Sequence, residues 1–332
     1  MKLIDKYGRV HDYLRLSVTD KCNFRCFYCN PKTSKECNTG KESILSYEEL
    51  LGIIRIFSQQ LGFKKFRLTG GEPLVRKGII DFLYEANELK KQSYFELGLT
   101  TNGFYLSDNI EKIKSAGVDR INISLDTLQK KKFKEITKIA VIENVFDGIY
   151  KSIDIGFSPV KINTVIMKNV NDDEILDFAD FAVNNDVNVR FIEFMPFADN
   201  DWNKDDFLSY RDIKNIVEQK YRLSPILNQE NSVAKDYLIE GEKGRVSFIS
   251  SISEHFCSSC NRVRISSHGD FRLCLFSNGA AHLNFKQLFK ESKTDDDIIA
   301  SLENLMFTKW EKHPDEDSLK EMKSNNMFKI GG

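Results

Sequence analysis

Six of the seven cysteines of this 332-residue chain fall into two triplets near its opposite ends. Cys22, Cys26 and Cys29 have the spacing C-x3-C-x2-C, and Cys257, Cys260 and Cys274 the spacing C-x2-C-x13-C. Clustered thiols in a cytosolic protein point to metal or redox chemistry rather than to disulfides. A [4Fe–4S] cube takes four thiolates, so three from one tight loop leave one iron open to a small molecule. Zinc competes, because a Cys3His site needs only one histidine more, and His255 and His268 lie near the second triplet's cysteines. Spacing alone leaves both metals open.

Other residues could serve a ligand. Gly70-Gly71-Glu72-Pro73 pairs glycines, which let backbone approach a ligand, with a carboxylate that can accept bonds from an ammonium.

Composition narrows the partners. Lys and Arg number 48 and Asp and Glu 49, for a formal net charge of -1. That balance exerts no global pull toward nucleic acid or anionic membrane. The N-terminus has no apolar signal core, and no stretch approaches the roughly 20 apolar residues of a span. The expectation is a soluble cytoplasmic protein with no nucleic-acid or membrane partner.

The elements that must position these residues alternate. Strands are expected at Tyr13–Val18, Phe66–Thr69, Phe95–Thr100, Arg120–Leu125, Val160–Met167 and Val189–Phe194. Between them, Ser46 and Glu49 form a capping box for a helix to Leu61, Gly78–Leu89 and Ser107–Ala116 read as helices, and helical stretches run to Ile155. Asn171 with Glu174 opens a further helix to about Asn185. Six βα units with long connections predict parallel pairing. The fold class expected is α/β, an incomplete (β/α)6 TIM-type barrel spanning 1–198, with a flat doubly wound sheet as the alternative. Residues 199–332 read as a C-terminal extension carrying the second cysteine site. Parallel strands bring their C-terminal ends to one face, so the first triplet, Gly70–Pro73, Thr100–Gly103, Ser124–Asp126 and Glu193–Pro196 should meet at one mouth.

The first triplet, with Tyr28 before its third cysteine and Gly70-Gly71-Glu72-Pro73 after the next strand, resembles the signature of the radical S-adenosylmethionine (SAM) superfamily. Over nearly its full length the chain is similar to the family of molybdenum cofactor biosynthesis protein A, the GTP 3′,8-cyclases. The matching blocks are Leu14–Asp20, Arg67–Pro73, Leu99–Gly103, Asn122–Asp126, Arg190–Pro196, the second triplet with Asn261–Arg264, and the terminal Gly331-Gly332.

The resemblance implies two [4Fe–4S] clusters, with Cys22, Cys26 and Cys29 holding one and Cys257, Cys260 and Cys274 the other. It implies SAM contacts at Tyr28, Gly70, Gly71, Glu72, Ser124 and Met195. It implies GTP contacts at Arg15, Lys65, Arg67, Thr100, Lys161, Arg190, Arg262, Val263 and Arg264. Arg262, Arg264 and a Gly331-Gly332 tail reaching the active site take catalytic roles. In the implied reaction, a radical derived from SAM removes the C3′ hydrogen of GTP and the ribose radical closes onto C8 of guanine. A flavodoxin- or ferredoxin-like donor would supply electrons, a cyclic pyranopterin monophosphate synthase would take the product, and the enzyme would be a monomer or homodimer. Asn30, Lys138, Ser251 and His268 depart from the family's usual residues, none of them a cluster ligand. Cys37 has no assigned partner and reads as a free loop thiol. Two alternatives stay open: a peptide-modifying radical SAM enzyme with an auxiliary cluster, and a zinc-bearing SAM- or nucleotide-binding regulator.

Overall fold

This computed structural model describes residues 1–29, 44–197, 200, 202–227, 231–277, 283–322 and 327. A short antiparallel hairpin, β1 (Leu3–Ile4) and β2 (Val10–His11), precedes the main sheet. Six strands then follow: β3 (Tyr13–Ser17), β4 (Lys65–Thr69), β5 (Glu96–Thr101), β6 (Arg120–Ser124), β7 (Lys161–Ile166) and β8 (Asn188–Glu193). Each is parallel to the next. The helices between them are α1 (Tyr47–Arg55), α2 (Ile79–Ser93), α3 (Leu106–Ser115), α4 (Lys130–Thr137), α5 (Glu143–Asp154) and α6 (Ile175–Asn185). All six predicted strands appear, in sequence order and without reversal. A doubly wound sheet must switch direction, so the order removes that alternative.

The alternation of side chains divides the sheet's two faces. Leu14, Leu16, Phe66, Leu68, Leu97, Leu99, Ile121, Ile123, Ile162, Val189 and Phe191 belong to one continuous core with the helices' apolar faces. The intervening residues, among them Tyr13, Arg15, Arg67, Thr100, Asn122, Ser124, Asn163 and Arg190, line a cavity on the other face. Period-2 geometry forces this: a strand that buries alternate aliphatics must turn the remaining residues the opposite way.

Two local readings are refined. Ser46 and Glu49 do form the capping box, with Glu49 N donating to Ser46 Oγ at 3.2 Å and Ser46 N to Glu49 Oε2 at 2.6 Å. Beyond Arg55 the helix continues as a π-helical turn over Ile56–Gln60. Asn171 and Glu174 do not cap α6. Asn171 accepts from Met167 N at 2.8 Å and donates to Asp126 O at 2.7 Å and Val165 O at 2.8 Å. Glu174 accepts from Thr127 Oγ1 at 2.7 Å and Leu128 N at 2.8 Å. Both are fully buried and fix the loop that leaves β6.

Strands continue in the extension over 199–332. After α7 (Tyr210–Glu218) come β9 (Leu223–Pro225), β10 (Lys235–Ile239), β11 (Arg245–Ile249), β12 (Arg262–Ile265) and β13 (Phe271–Arg272). The sheet order is β13-β12-β3-β4-β5-β6-β7-β8-β11-β10-β9. β11 adds parallel to β8 and β12 parallel to β3, so the extension widens the parallel run at both edges. Neither strand is followed by the helix that marked the first six, which hid them from a βα pattern. Three helices follow among the described residues, α8 (Phe285–Lys290), α9 (Asp295–Met306) and α10 (Glu316–Glu321). Among the described residues, no helix is long and apolar enough to cross a membrane.

Candidate active site

The first cysteine loop leaves β3 and is pinned on three sides. Phe24 is buried edge-on against Phe104 and Phe133, with centroids 5.9 and 5.6 Å away. Arg25 N donates to Thr137 O at 2.9 Å. Tyr28 stacks edge-on to Phe194, and its hydroxyl donates to Asp126 Oδ2 at 2.5 Å. Cys22, Cys26 and Cys29 thereby line the cavity. Burial pushes their thiols up, Cys22 to about 11 and Cys29 to about 12, with Cys26 also raised. Thiols so placed become thiolates when a metal takes the proton's place.

The glycine turn after β4 is shaped by this loop. A Cβ on Gly70 would stand 2.5 Å from Thr19 O, and one on Gly71 2.3 Å from Lys21 O. Gly71 N and Glu72 N donate to those same carbonyls at 2.8 Å. The glycines are therefore needed for contact with the cysteine loop as well as for any ligand. Glu72 is buried, and its oxygens accept from Leu74 N at 3.0 Å, Thr101 Oγ1 at 2.8 Å and Asn102 N at 2.6 Å. Burial raises its carboxyl to about 7 despite these bonds. It knots the turn to the end of β5, and an ammonium would share oxygens already in use.

The second triplet flanks β12 and β13. Cys260 N donates to Cys257 O at 3.2 Å, and Cys274 packs with Leu275 on a small apolar cluster of Phe197, Ile252, Phe276 and Leu319. Burial raises the thiols of Cys257 and Cys274. Burial acts on Cys260 in the same sense, but Lys309 and Arg262 outweigh it and hold that thiol below its ordinary value. His268, a candidate zinc ligand by spacing, instead meets Asp20 at 3.2 Å, and His255 meets His313 edge-on with centroids 5.3 Å apart. Among the described residues, no three His, Cys, Asp or Glu side chains are grouped for one metal ion. A cube makes a looser demand, one thiolate on each of several irons.

Between the triplets lies a concentration of positive charge. Arg15, Arg67, Arg190, Arg262 and Arg264 all line the cavity, with Phe256 and Leu275 from beside the second triplet. The register sets Arg262 against Tyr13 and Arg264 against Arg15, which in turn faces Arg67. Burial, then mutual repulsion, lowers Arg264 to about 10 and also lowers Arg15 and Arg262. Burial lowers Arg190 to about 10. Arg262 Nε is buried without a hydrogen-bond partner. A guanidinium whose Nε–H is buried and unmet is costly until an anion arrives.

Of the remaining predicted contacts, Tyr28, Gly70, Gly71, Glu72, Thr100, Ser124 and Met195 line the cavity. Lys161 does not line it but lies among the same cations, lowered to about 8 by burial and then by Arg190 and Arg67. Lys65 opens β4, outside the cavity lining. Val263 turns its side chain into the core, as the residue between two inward arginines must, so only its backbone faces a ligand. Ser251 lines the cavity, whereas Lys138 caps α4 on the surface at φ 64°. Gly331, Gly332, Asn30 and Cys37 lie outside the described residues.

Two participants escaped the sequence reading. Gly98 on β5 lets Arg67 lie flat, since a Cβ there would stand 2.4 Å from the Arg67 guanidinium carbon. Tyr13 accepts from Arg67 Nε at 3.3 Å, and its ring lies 5.3 Å from the Arg262 guanidinium. Burial alone would raise the Tyr13 phenol, yet Arg67, Arg15 and Arg262 bring it down to about 7. Its ordinary value is roughly 10, so the stability its phenolate contributes is lost as pH falls through about 7. A near-ultraviolet titration before iron loading should show one tyrosinate forming near that pH, absent from Tyr13→Phe. Identical titrations of the two chains would refute the assignment.

The Radical SAM superfamily profile matches residues 16–182, and the Molybdenum Cofactor Synthesis C profile matches residues 187–315. The chain is 38% identical over 329 residues to human molybdenum cofactor biosynthesis protein 1, covering 99% of this chain and 51% of that protein. It is 39% identical over 332 residues to the GTP 3′,8-cyclase of Syntrophomonas wolfei, covering 99% of this chain and all of that one. It therefore spans about half the length of the human relative and the whole of the bacterial one. The crystal structure of Streptococcus suis SuiB superposes with a TM-score of 0.62 at 14% identity, covering 89% of this chain and 69% of that one, a likeness of fold. The chain belongs to the radical SAM superfamily and, within it, to the GTP 3′,8-cyclase family.

Proposed function

We propose that this chain is a GTP 3′,8-cyclase, acting at the first step of molybdenum cofactor biosynthesis. The observation that carries the reading is one cavity lined by the first cysteine triplet and by five arginines, two of them, Arg262 and Arg264, on the strand that follows Cys260. SAM and two [4Fe–4S] clusters are the cofactors of the family. Cys22, Cys26 and Cys29 would hold one cluster and Cys257, Cys260 and Cys274 the other. Bound SAM and its cluster supply a 5′-deoxyadenosyl radical able to remove a ribose hydrogen.

The residues of the chain bind, orient and shield. Tyr28, Gly70, Gly71, Glu72, Ser124 and Met195 enclose the SAM side. Arg15, Arg67, Lys161, Arg190 and Arg264 meet the triphosphate with charge-assisted bonds, joined by Arg262 through its unmet Nε–H. Thr100 and the Val263 backbone border the nucleoside, and Lys65 adds positive charge below Arg67. Holding C3′ of the ribose against the radical source is a positioning task, and the fixed arginines perform it. Breaking the C3′–H bond and joining C3′ to C8 leaves one electron and one proton to be delivered at the base, beside the second triplet. The family resemblance assigns a catalytic role to Gly331 and Gly332, which lie outside the described residues.

In this reading six central strands form an incomplete barrel over 1–198, and 199–332 is the nucleotide-holding extension. A cytoplasmic flavodoxin- or ferredoxin-like protein delivers electrons, and a cyclic pyranopterin monophosphate synthase receives the product. Anaerobic reconstitution should load about eight irons per chain. With SAM, dithionite and GTP it should yield 5′-deoxyadenosine and a GTP isomer of unchanged mass. Deoxyadenosine without GTP conversion would overturn the substrate, and a chain that takes up no iron would overturn the whole reading.

A further inference from the structure

Behind the second triplet stands a buried ammonium that no motif announced. Lys309, just past α9, is 3% exposed. Its Nζ donates to Arg262 O at 2.7 Å and to Leu273 O at 2.6 Å. Arg262 lies two residues beyond Cys260, and Leu273 immediately precedes Cys274. One amine thus ties together the segments that carry two of the three thiols. Arg9 fixes the third, donating to Cys257 O at 2.6 Å and reaching Trp310 O at 2.6 Å and Glu311 O at 2.8 Å.

The charge of Lys309 needs an explanation. Among the described residues, no carboxylate makes an ion pair with it. Asp5, the nearby acid, is engaged by Arg9 at 2.6 Å and His11 at 3.1 Å. Burying an ammonium without a counter-charge is strongly unfavourable. The opposite charges its position can serve are the thiolates of Cys260 and Cys274.

We propose that Lys309 is a positioning and charge-compensating residue for the second iron–sulfur cluster, holding its ligand segments in register and favouring its reduced state. This rests on the reading that the second triplet holds a cluster. Reduction adds negative charge, so a fixed buried cation raises the potential, as charge and hydrogen bonds around a cluster are known to do.

The test uses the full chain with Cys22, Cys26 and Cys29 replaced by alanine, reconstituted anaerobically so that the second cluster is observed alone. Iron per chain, loss of iron to a chelator, and an EPR-monitored redox titration are compared for this parent, K309Q, K309M and K309R. The Gln variant keeps N–H donors for the two carbonyls and removes only the charge. K309Q and K309M should lose iron faster and titrate at a more negative potential. At the parent's midpoint, the reduced fraction relative to oxidised should fall about tenfold, which is about 59 mV for one electron. K309R should restore the parent's behaviour. If K309M fails to fold by circular dichroism, the pair K309Q and K309R decides, and a cluster lost in K309Q but kept in K309R supports the proposal. K309Q matching the parent in potential and iron retention would overturn it while leaving the cluster reading intact. A parent that binds no iron would overturn that reading first and this inference with it.

Discussion

The double replacement Arg262→Ala, Arg264→Ala abolishes GTP cyclisation and leaves both clusters bound. The two guanidiniums stand one above the other on β12, facing Tyr13 and Arg15 across a parallel pairing. Both line the cavity together with Arg15, Arg67 and Arg190. A charge-assisted bond contributes roughly 1.5–3 kcal/mol, so losing two weakens transition-state binding by roughly 3–6 kcal/mol. That is a fall of about 10²- to 10⁴-fold in kcat/KM. Iron per chain and SAM cleavage without GTP should stay at the parent's level, because neither arginine is a ligand. A second readout has the opposite sign. With no nucleotide present, these buried cations repel Arg15 and each other. Removing them should raise the thermal midpoint of the nucleotide-free protein, a trade of stability for function. Unchanged turnover would refute their role.

The Glu193→Ala replacement destabilises the protein by about 3–5 kcal/mol. Glu193 is wholly buried at the end of β8. Its carboxylate accepts from Tyr210 N at 2.8 Å, Ile252 N at 2.7 Å, Ser253 N at 3.0 Å and the Ser253 hydroxyl. Alanine would leave those donors buried and unmet, at the junction of β8, α7 and the segment leading to Cys257. Denaturant unfolding checks the magnitude, and the iron count should fall toward that of a single cluster as the second loop loosens. Glu193→Gln should lie between, since an amide nitrogen cannot accept. A Glu193→Ala chain as stable as the parent would show that the loop holds itself.

These two residues mark the limit of legibility. Arg262 and Arg264 were visible beside a cysteine pair, and the structure places both in the cavity. Glu193 was equally visible as a polar residue at a strand end, but its task is structural. Asn171 and Glu174 read locally as a helix start, and tertiary bonds claimed both. A polar side chain near a strand's C-terminal end has the same appearance whether it meets a ligand or a neighbouring loop. Only the position of that loop distinguishes the cases.

The sequence by itself determined what depends on near neighbours. Alternating aliphatics set six strands and the face each one buries, the capping box set the start of α1, and the tight cysteine spacing set a three-thiol loop. Tertiary structure alone decided what depends on distant partners. β11 and β12 join opposite edges of the sheet, and β12 sets Arg262 and Arg264 beside Tyr13 and Arg15 in the cavity that the first triplet lines. Arg9 reaches Cys257 across 248 residues of chain, and Lys309 reaches the strand of Arg262 across 47. Gly98 is needed because Arg67 happens to cross it, and Tyr13 titrates low because three arginines converge on it. Periodicity is a property of the chain's local geometry, whereas a buried charge takes its meaning from whichever remote groups the topology sets beside it.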